Sequence, residues 1–140
     1  MPTATEAKKL LSSAGLLVYR TREPRVHVAE RARENLLMDS GISIDVSGPA
    51  VTFTVRAQKG DFPGAPADEL VRRARGLADE ALGRGYRELR VEAREVNDPG
   101  DDSRTLDVFY EVTFEKPVAS LDEAIDEVRW ALSIPKAATP

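Results

Sequence analysis

"EPRVHVAERARENLLMDSG" (Glu23 to Gly41) carries apolar residues at Val26, Ala29, Ala32 or Arg33, Leu36 and Leu37, a spacing that marks one face of a helix. Read that way, residues 1–40 form an N-terminal helical segment that precedes any sheet. The only histidine, His27, falls at the start of this helix. It has no Ser, Cys or Asp neighbour to make a triad, so it reads as a structural or surface residue rather than a general base.

Beyond Gly41 the period changes. "ISIDVS" places Ile42, Ile44 and Val46 on one side and "VTFTVRA" does the same with Val51, Phe53 and Val55, while "GPA" between them has turn chemistry. These features predict a β-hairpin. After "QKGDFPGAP", the stretch "ADELVRRARGLADEALGRG" shows an amphipathic stripe of Leu70, Val71, Ala74, Leu77, Ala78, Ala81 and Leu82. Pro66 suits the helix start, Asp68 and Glu69 its positive end, and Gly83 or Gly85 its stop. The pattern then recurs: "ELRVEAREV" and "TLDVFYEVTFEKP" predict a second hairpin. "SLDEAIDEVRWALSIP" predicts a closing helix with the capping box Ser120-x-x-Glu123 and the stripe Leu121, Ala124, Ile125, Val128 and Leu132.

In the second hairpin Leu89, Val91 and Ala93, with Leu106, Val108, Tyr110, Val112 and Phe114, define an apolar face. Glu88, Arg90, Glu92 and Arg94 lie on the other. The register that avoids opposing like charges pairs Val91 with Tyr110, Arg94 with Asp107 and Arg90 with Glu111, since each like-charge opposition costs a few tenths to about 1 kcal/mol. It leaves Asn97 to Arg104 as the connection, whose Asn, Asp, Pro and Gly are turn formers. The acidic run "NDPGDDS" lacks the spacing of a calcium loop, because Leu106 stands where a bidentate Glu would be needed. An exposed hairpin tip also offers nothing to raise a catalytic acid's pKa. "KGDFPGAP", with Gly60 and Gly64 ahead of a helix, matches no phosphate-binding pattern, and Asp68 and Glu69 would repel an anion there.

The expected fold is therefore α+β. Two consecutive β-hairpin-helix units (ββαββα, residues 41–134) form a four-stranded antiparallel sheet with helices on one face, preceded by the helical segment and followed by a disordered tail, 135–140. The stretch "ERARENLLMDSGISIDVSGPAVTFTV" (Glu30 to Val55) resembles the helix-then-hairpin opening of BON-type domains. The resemblance covers under half the chain, implies only that a helix precedes the first hairpin, and carries no function.

Composition narrows the function classes. The chain has 140 residues and no cysteine, which removes disulfides, thiolate nucleophiles and Cys-based zinc sites. With no long apolar run and no signal-peptide pattern, it reads as a soluble cytoplasmic domain with no membrane partner. Residues 1–34 hold seven Lys/Arg against four Glu, a net +3, while the remainder holds 13 against 20, a net −7. Arg20, Arg22 and Arg25 thus lie in a basic segment that could meet an acidic partner, although nucleic acid is disfavoured because domains that read it usually carry a denser basic surface interleaved with aromatics. Phe109 on the charged strand face and Trp130 off the last helix's stripe are candidate anchors for a partner or a second copy. Arg90, Arg94 and Glu111 lie on the same polar face as Phe109. The leading expectation is a non-enzymatic protein-interaction or assembly module, with a homodimer as one form of it, that needs no cofactor. Behind it stand a small-molecule-binding domain or compact enzyme using Tyr110, Arg90 and Glu92 in a cleft, and nucleic-acid binding through the basic segment.

Overall fold

The computed structural model describes residues 2–140 and shows an α+β fold. An N-terminal helix is followed by a six-stranded antiparallel sheet with three helices packed on it. In chain order the elements are α1 (Ala4–Ser13), β1 (Leu17–Arg22), β2 (Arg25–Arg33), β3 (Leu36–Asp45), β4 (Ala50–Gln58), α2 (Ala67–Gly76), β5 (Arg87–Asp98), β6 (Asp101–Pro117) and α3 (Leu121–Ser133). The strand order is β1-β2-β3-β4-β6-β5. This overturns the four-stranded ββαββα arrangement: residues 17–33, expected to be helical, form two further strands, and His27 lies in β2. The helix implied by the BON-type resemblance is likewise absent, since Glu30 to Arg33 belong to β2.

The misreading has a physical origin in the ladder. Val28 faces Ile42 but Ala29 faces Asp39, so Ser40 and Gly41 are extra residues on β3. Gly41 takes φ 79, which a residue with a Cβ rarely adopts. The Asp39 carboxylate accepts its N–H at 2.9 Å, and the Ser40 hydroxyl donates to the Val28 carbonyl at 2.7 Å. Opposite this bulge Val26, Val28 and Ala29 are all buried, so strict alternation fails and the three-residue step from 26 to 29 imitates a helix. A second irregularity between Arg31 and Arg33 extends the imitation to Leu36.

The fold divides into two compact units. The first comprises the residues up to Phe53 together with Glu115–Ile134. Here Thr3 caps α1 by accepting the Glu6 N–H at 3.1 Å, and Gly15 at φ 81 ends it as the Leu16 N–H returns to the Leu11 carbonyl at 2.9 Å. Ala4, Ala7 and Leu11 are buried as α1 packs on β1, β2 and α3. Its start is tied by the Ala4 N–H to Glu23 at 3.0 Å and its end by Arg129 to the Ala14 carbonyl at 2.8 Å, so the basic N-terminal region is not a free arm. The predicted cap of α3 is present: Ser120 accepts the Glu123 N–H, and the Glu123 carboxylate reaches back to the Ala119 N–H at 2.7 Å. Its buried face is Ala124, Glu127, Val128 and Ala131, with Glu127 paired to Lys116 at 3.0 Å.

The second unit comprises Thr54–Phe114 and Pro135–Pro140. Regular helix in α2 stops at Gly76 rather than running to Gly85, and Leu77 and Ala78 continue with tight i→i−3 bonds to Ala74 and Arg75. Leu70, Ala74, Ala78 and Ala81 still form its buried stripe. The C-terminal residues, expected to be disordered, are held: the Arg56 N–H donates to the Lys136 carbonyl and Ala138 returns a bond to Arg56, both at 2.8 Å. Among the described residues no helix is long and apolar enough to cross a membrane.

Candidate protein interface

Phe109, Arg90, Arg94 and Glu111 belong to the second unit, whereas Arg20, Arg22, Arg25 and Trp130 belong to the first. Trp130 does not stand clear of the fold. It meets Phe53 edge-to-face, with ring centroids 5.7 Å apart. Arg20 and Arg22 are exposed on β1, while Arg25 is engaged with Asp45 at 3.8 Å and the Ser43 hydroxyl at 3.3 Å.

On β5 and β6 the structure does bring predicted residues together. Arg94 pairs with Glu111 at 3.2 Å and stacks its guanidinium 4.7 Å from the Phe109 ring, with Arg56 5.3 Å from the same ring. Phe109 thus holds two cation–π contacts within its own unit and is half-buried. The ion pairs that form are Arg94 with Glu111 and, along β5 itself, Arg90 with Glu92 at 2.7 Å. The connection between the strands is shorter than expected. Only Pro99 and Gly100 lie outside the strands.

The acidic run straddles a tight turn at Pro99–Gly100, its other residues lying in β5 and β6, and two of its aspartates bond locally. Asp98 accepts the Gly100 N–H at 2.9 Å, and Asp101 accepts both the N–H and the hydroxyl of Ser103, at 3.0 and 2.6 Å. The Ser103 hydroxyl holds the Asp101 carboxyl below its ordinary range. Among the described residues no group of three or more His, Asp or Glu is placed to hold a metal ion.

Asp107 has a role that the sequence did not reveal. Its carboxylate accepts from the Gln58 amide at 2.6 Å, from the Gly60 N–H at 2.9 Å and from the Val108 N–H at 2.7 Å. The Gln58 bond is the chief reason its pKa lies below the usual carboxylate range. A Cβ at Gly60 would sit 2.7 Å from Asp107 Oδ2, so a side chain there would push the carboxylate out of its present position. The glycine-bearing loop thus does meet an anion, but it is the chain's own. An open depression of about 330 Å³ lies here, lined by Lys59, Gly60, Pro63, Gly64 and residues 105–108, and its one carboxylate is already committed to these three donors. The cleft chemistry anticipated for Tyr110, Arg90 and Glu92 is not assembled in it, because none of the three lines it.

What stands open is the other side of the same hairpin. The contacts of Arg94 put Phe109 and Glu111 on one face, so Leu89, Val91 and Ala93 share the opposite face with Leu106. That face was expected to be core along its length. Val112 and Phe114 are buried, but Leu89 is 39% exposed, Val91 42% and Leu106 52%. β5 ends the strand order, runs for 12 residues and is exposed along nearly all of them. No protein-family model matches the chain, and comparison with curated proteins and with solved structures finds none similar to it.

Proposed function

We propose that the chain is a non-enzymatic protein-interaction module whose docking element is the β5–β6 hairpin. One observation carries the reading: β5 is a long terminal strand, unpaired on one side, with exposed apolar side chains at Leu89 and Val91. Every second residue of such a strand directs its N–H and C=O away from the sheet, where a partner strand can pair with them. Main-chain pairing then supplies affinity, and the side chains alternating on the two faces supply selectivity. The exposed Leu89, Val91 and Leu106 add apolar area that a partner would remove from water.

Photo-crosslinking inside the native host tests the reading. A photo-reactive amino acid at Val91 is expected to yield covalent adducts with protein, and the same group at Tyr19 on β1 is expected to yield few. Equal capture at both positions, or none at Val91, would overturn it.

A further inference from the structure

We infer that the strand received by β5 is β5 of a second copy, paired antiparallel about Val91; this rests on the reading of β5 as the docking strand. The argument lies in "RELRVEARE", Arg87 to Glu95. Folded about Val91, the sequence is its own charge complement: Arg87 meets Glu95 of the second copy, Glu88 meets Arg94, and Arg90 meets Glu92. The two-fold axis repeats each pair, so all six oppositions are of unlike sign. On the face that Arg87 and Glu95 share, Val91 meets Val91 and Leu89 meets the small Ala93, so that pair of charges flanks an apolar centre.

The register is selective. Shifting the centre to Arg90 opposes Glu88 to Glu92 and Arg90 to itself, whereas shifting it to Glu92 opposes Arg90 to Arg94 and Glu92 to itself. Displacing the centre by half a residue would join the charged face of one copy to the apolar face of the other. Of the centres that keep like faces together, Val91 opposes the most unlike charges and no like ones; a centre at Leu89 retains only the Glu88–Arg90 opposition within β5, and one at Ala93 brings Glu88 to Asp98.

Contacts already present within one copy extend this pattern. Glu88 accepts from Arg75 at 2.7 and 3.2 Å, and Arg94 reaches Glu111 at 3.2 Å. Bringing Glu88 of one copy beside Arg94 of the other therefore joins Arg75, Glu88, Arg94 and Glu111 into a row of alternating sign. The Arg90–Glu92 pair, 2.7 Å apart in one copy, meets its inverted twin and makes a square of four alternating charges. The nine paired residues span about 30 Å of strand.

Sedimentation equilibrium on the full chain tests the inference, with charge reversal as the probe. The native chain is expected to be a dimer in the micromolar range. Arg90→Glu and Glu92→Arg should each weaken self-association about tenfold or more, because each places like charges across the axis. Both side chains are more than half exposed, so the far-ultraviolet dichroism spectra of the two variants should match that of the native chain, and any lower melting temperature should reflect only the lost dimer and fade on dilution. Mixed together, the variants should form a heterodimer, since each then supplies the charge the other needs. Such a rescue cannot arise from misfolding. A native chain that stays monomeric, a dimer indifferent to both reversals, or a mixture without rescue would each overturn the inference. If the native chain is monomeric while a photo-reactive group at Val91 captures a different protein, the self-pairing fails and the docking reading survives. If it captures nothing, both fail.

Discussion

The two terminal strands of the sheet, β1 and β5, are built in contrasting ways. β1 has six residues, an extra residue at Tyr19 that breaks its register with β2, the like charges of Arg20 and Arg22, and α1 packed against it. Each of these features discourages a further strand from adding. β5 has 12 residues and charges that alternate in sign, with Leu89 and Val91 left exposed. Two copies of β1 would bring arginine to arginine, whereas two copies of β5 bring arginine to glutamate. Edge strands are thus not equivalent by position: local length, irregularity and charge order decide which one is closed to partners.

The contrast should show first in tolerance to a buried charge. Val28→Asp in β2, next to the closed edge, places an unpaired carboxylate at a fully buried site and should cost several kcal/mol, about 4 or more, enough to abolish a cooperative urea melt. Leu106→Asp, on the open hairpin face, should shift stability by less than about 1 kcal/mol in dilute protein. Comparable losses would mean that the hairpin face is covered after all.

Truncation should give the next largest effect. Leu11→Ala removes the buried side chain with which α1 backs the β1 side, and should cost about 2–4 kcal/mol in urea denaturation. Leu89→Ala on β5 should cost less, about 1 kcal/mol, because 39% of its surface stays in water in the folded chain and its loss leaves no closed cavity. A smaller effect follows for Glu111→Gln. It weakens the partly exposed pair with Arg94 by less than about 1 kcal/mol and leaves the guanidinium on Phe109. A loss of more than twice that in a thermal or urea melt would show that the pair organises the hairpin.

The smallest expected effect is a pH dependence confined to the β1 side. Burial lowers the pKa of His27 from its ordinary 6.5, and Arg20 and Arg25 lower it further against the opposing pull of Asp39, 3.9 Å away. Below 6.5 the unfolded chain binds a proton that the folded chain resists, so stability is fully present above that pH and declines as pH falls through the folded-state value. An NMR titration of folded and urea-unfolded protein reads both midpoints. A folded midpoint at or above 6.5 would remove this term.

The sequence was most legible where period and packing agree. Val51, Phe53 and Val55 alternate in β4 and are buried, and Ser120 caps α3 in the way its motif indicates. It was least legible at β2 and β3. There the bulge at Ser40–Gly41 lets Val28 and Ala29 both turn inward, and a non-alternating strand looks like a helix to any test of spacing. The candidate interface was hidden for another reason. Alternation correctly divides Leu89 and Val91 from Glu88 and Arg90, but whether an apolar face is covered depends on strand order. Because β6 inserts between β4 and β5, the earlier strand of that hairpin becomes the outermost one. Asp107 escaped notice because its partners Gln58 and Gly60 are distant in sequence and carry no motif.

The edge-to-face contact of Trp130 with Phe53 has an optical consequence. Trp130 is the only tryptophan, and both rings belong to the unit that contains α1, β1, β2 and β3. Selectively excited tryptophan emission is therefore a local reporter of the surroundings of Trp130, the Phe53 ring among them, whereas far-ultraviolet dichroism sums the whole backbone. Superimposable emission and dichroism curves on denaturation would mark a single cooperative transition, and an emission change that leads or trails the dichroism would time the unfolding of one unit against the other.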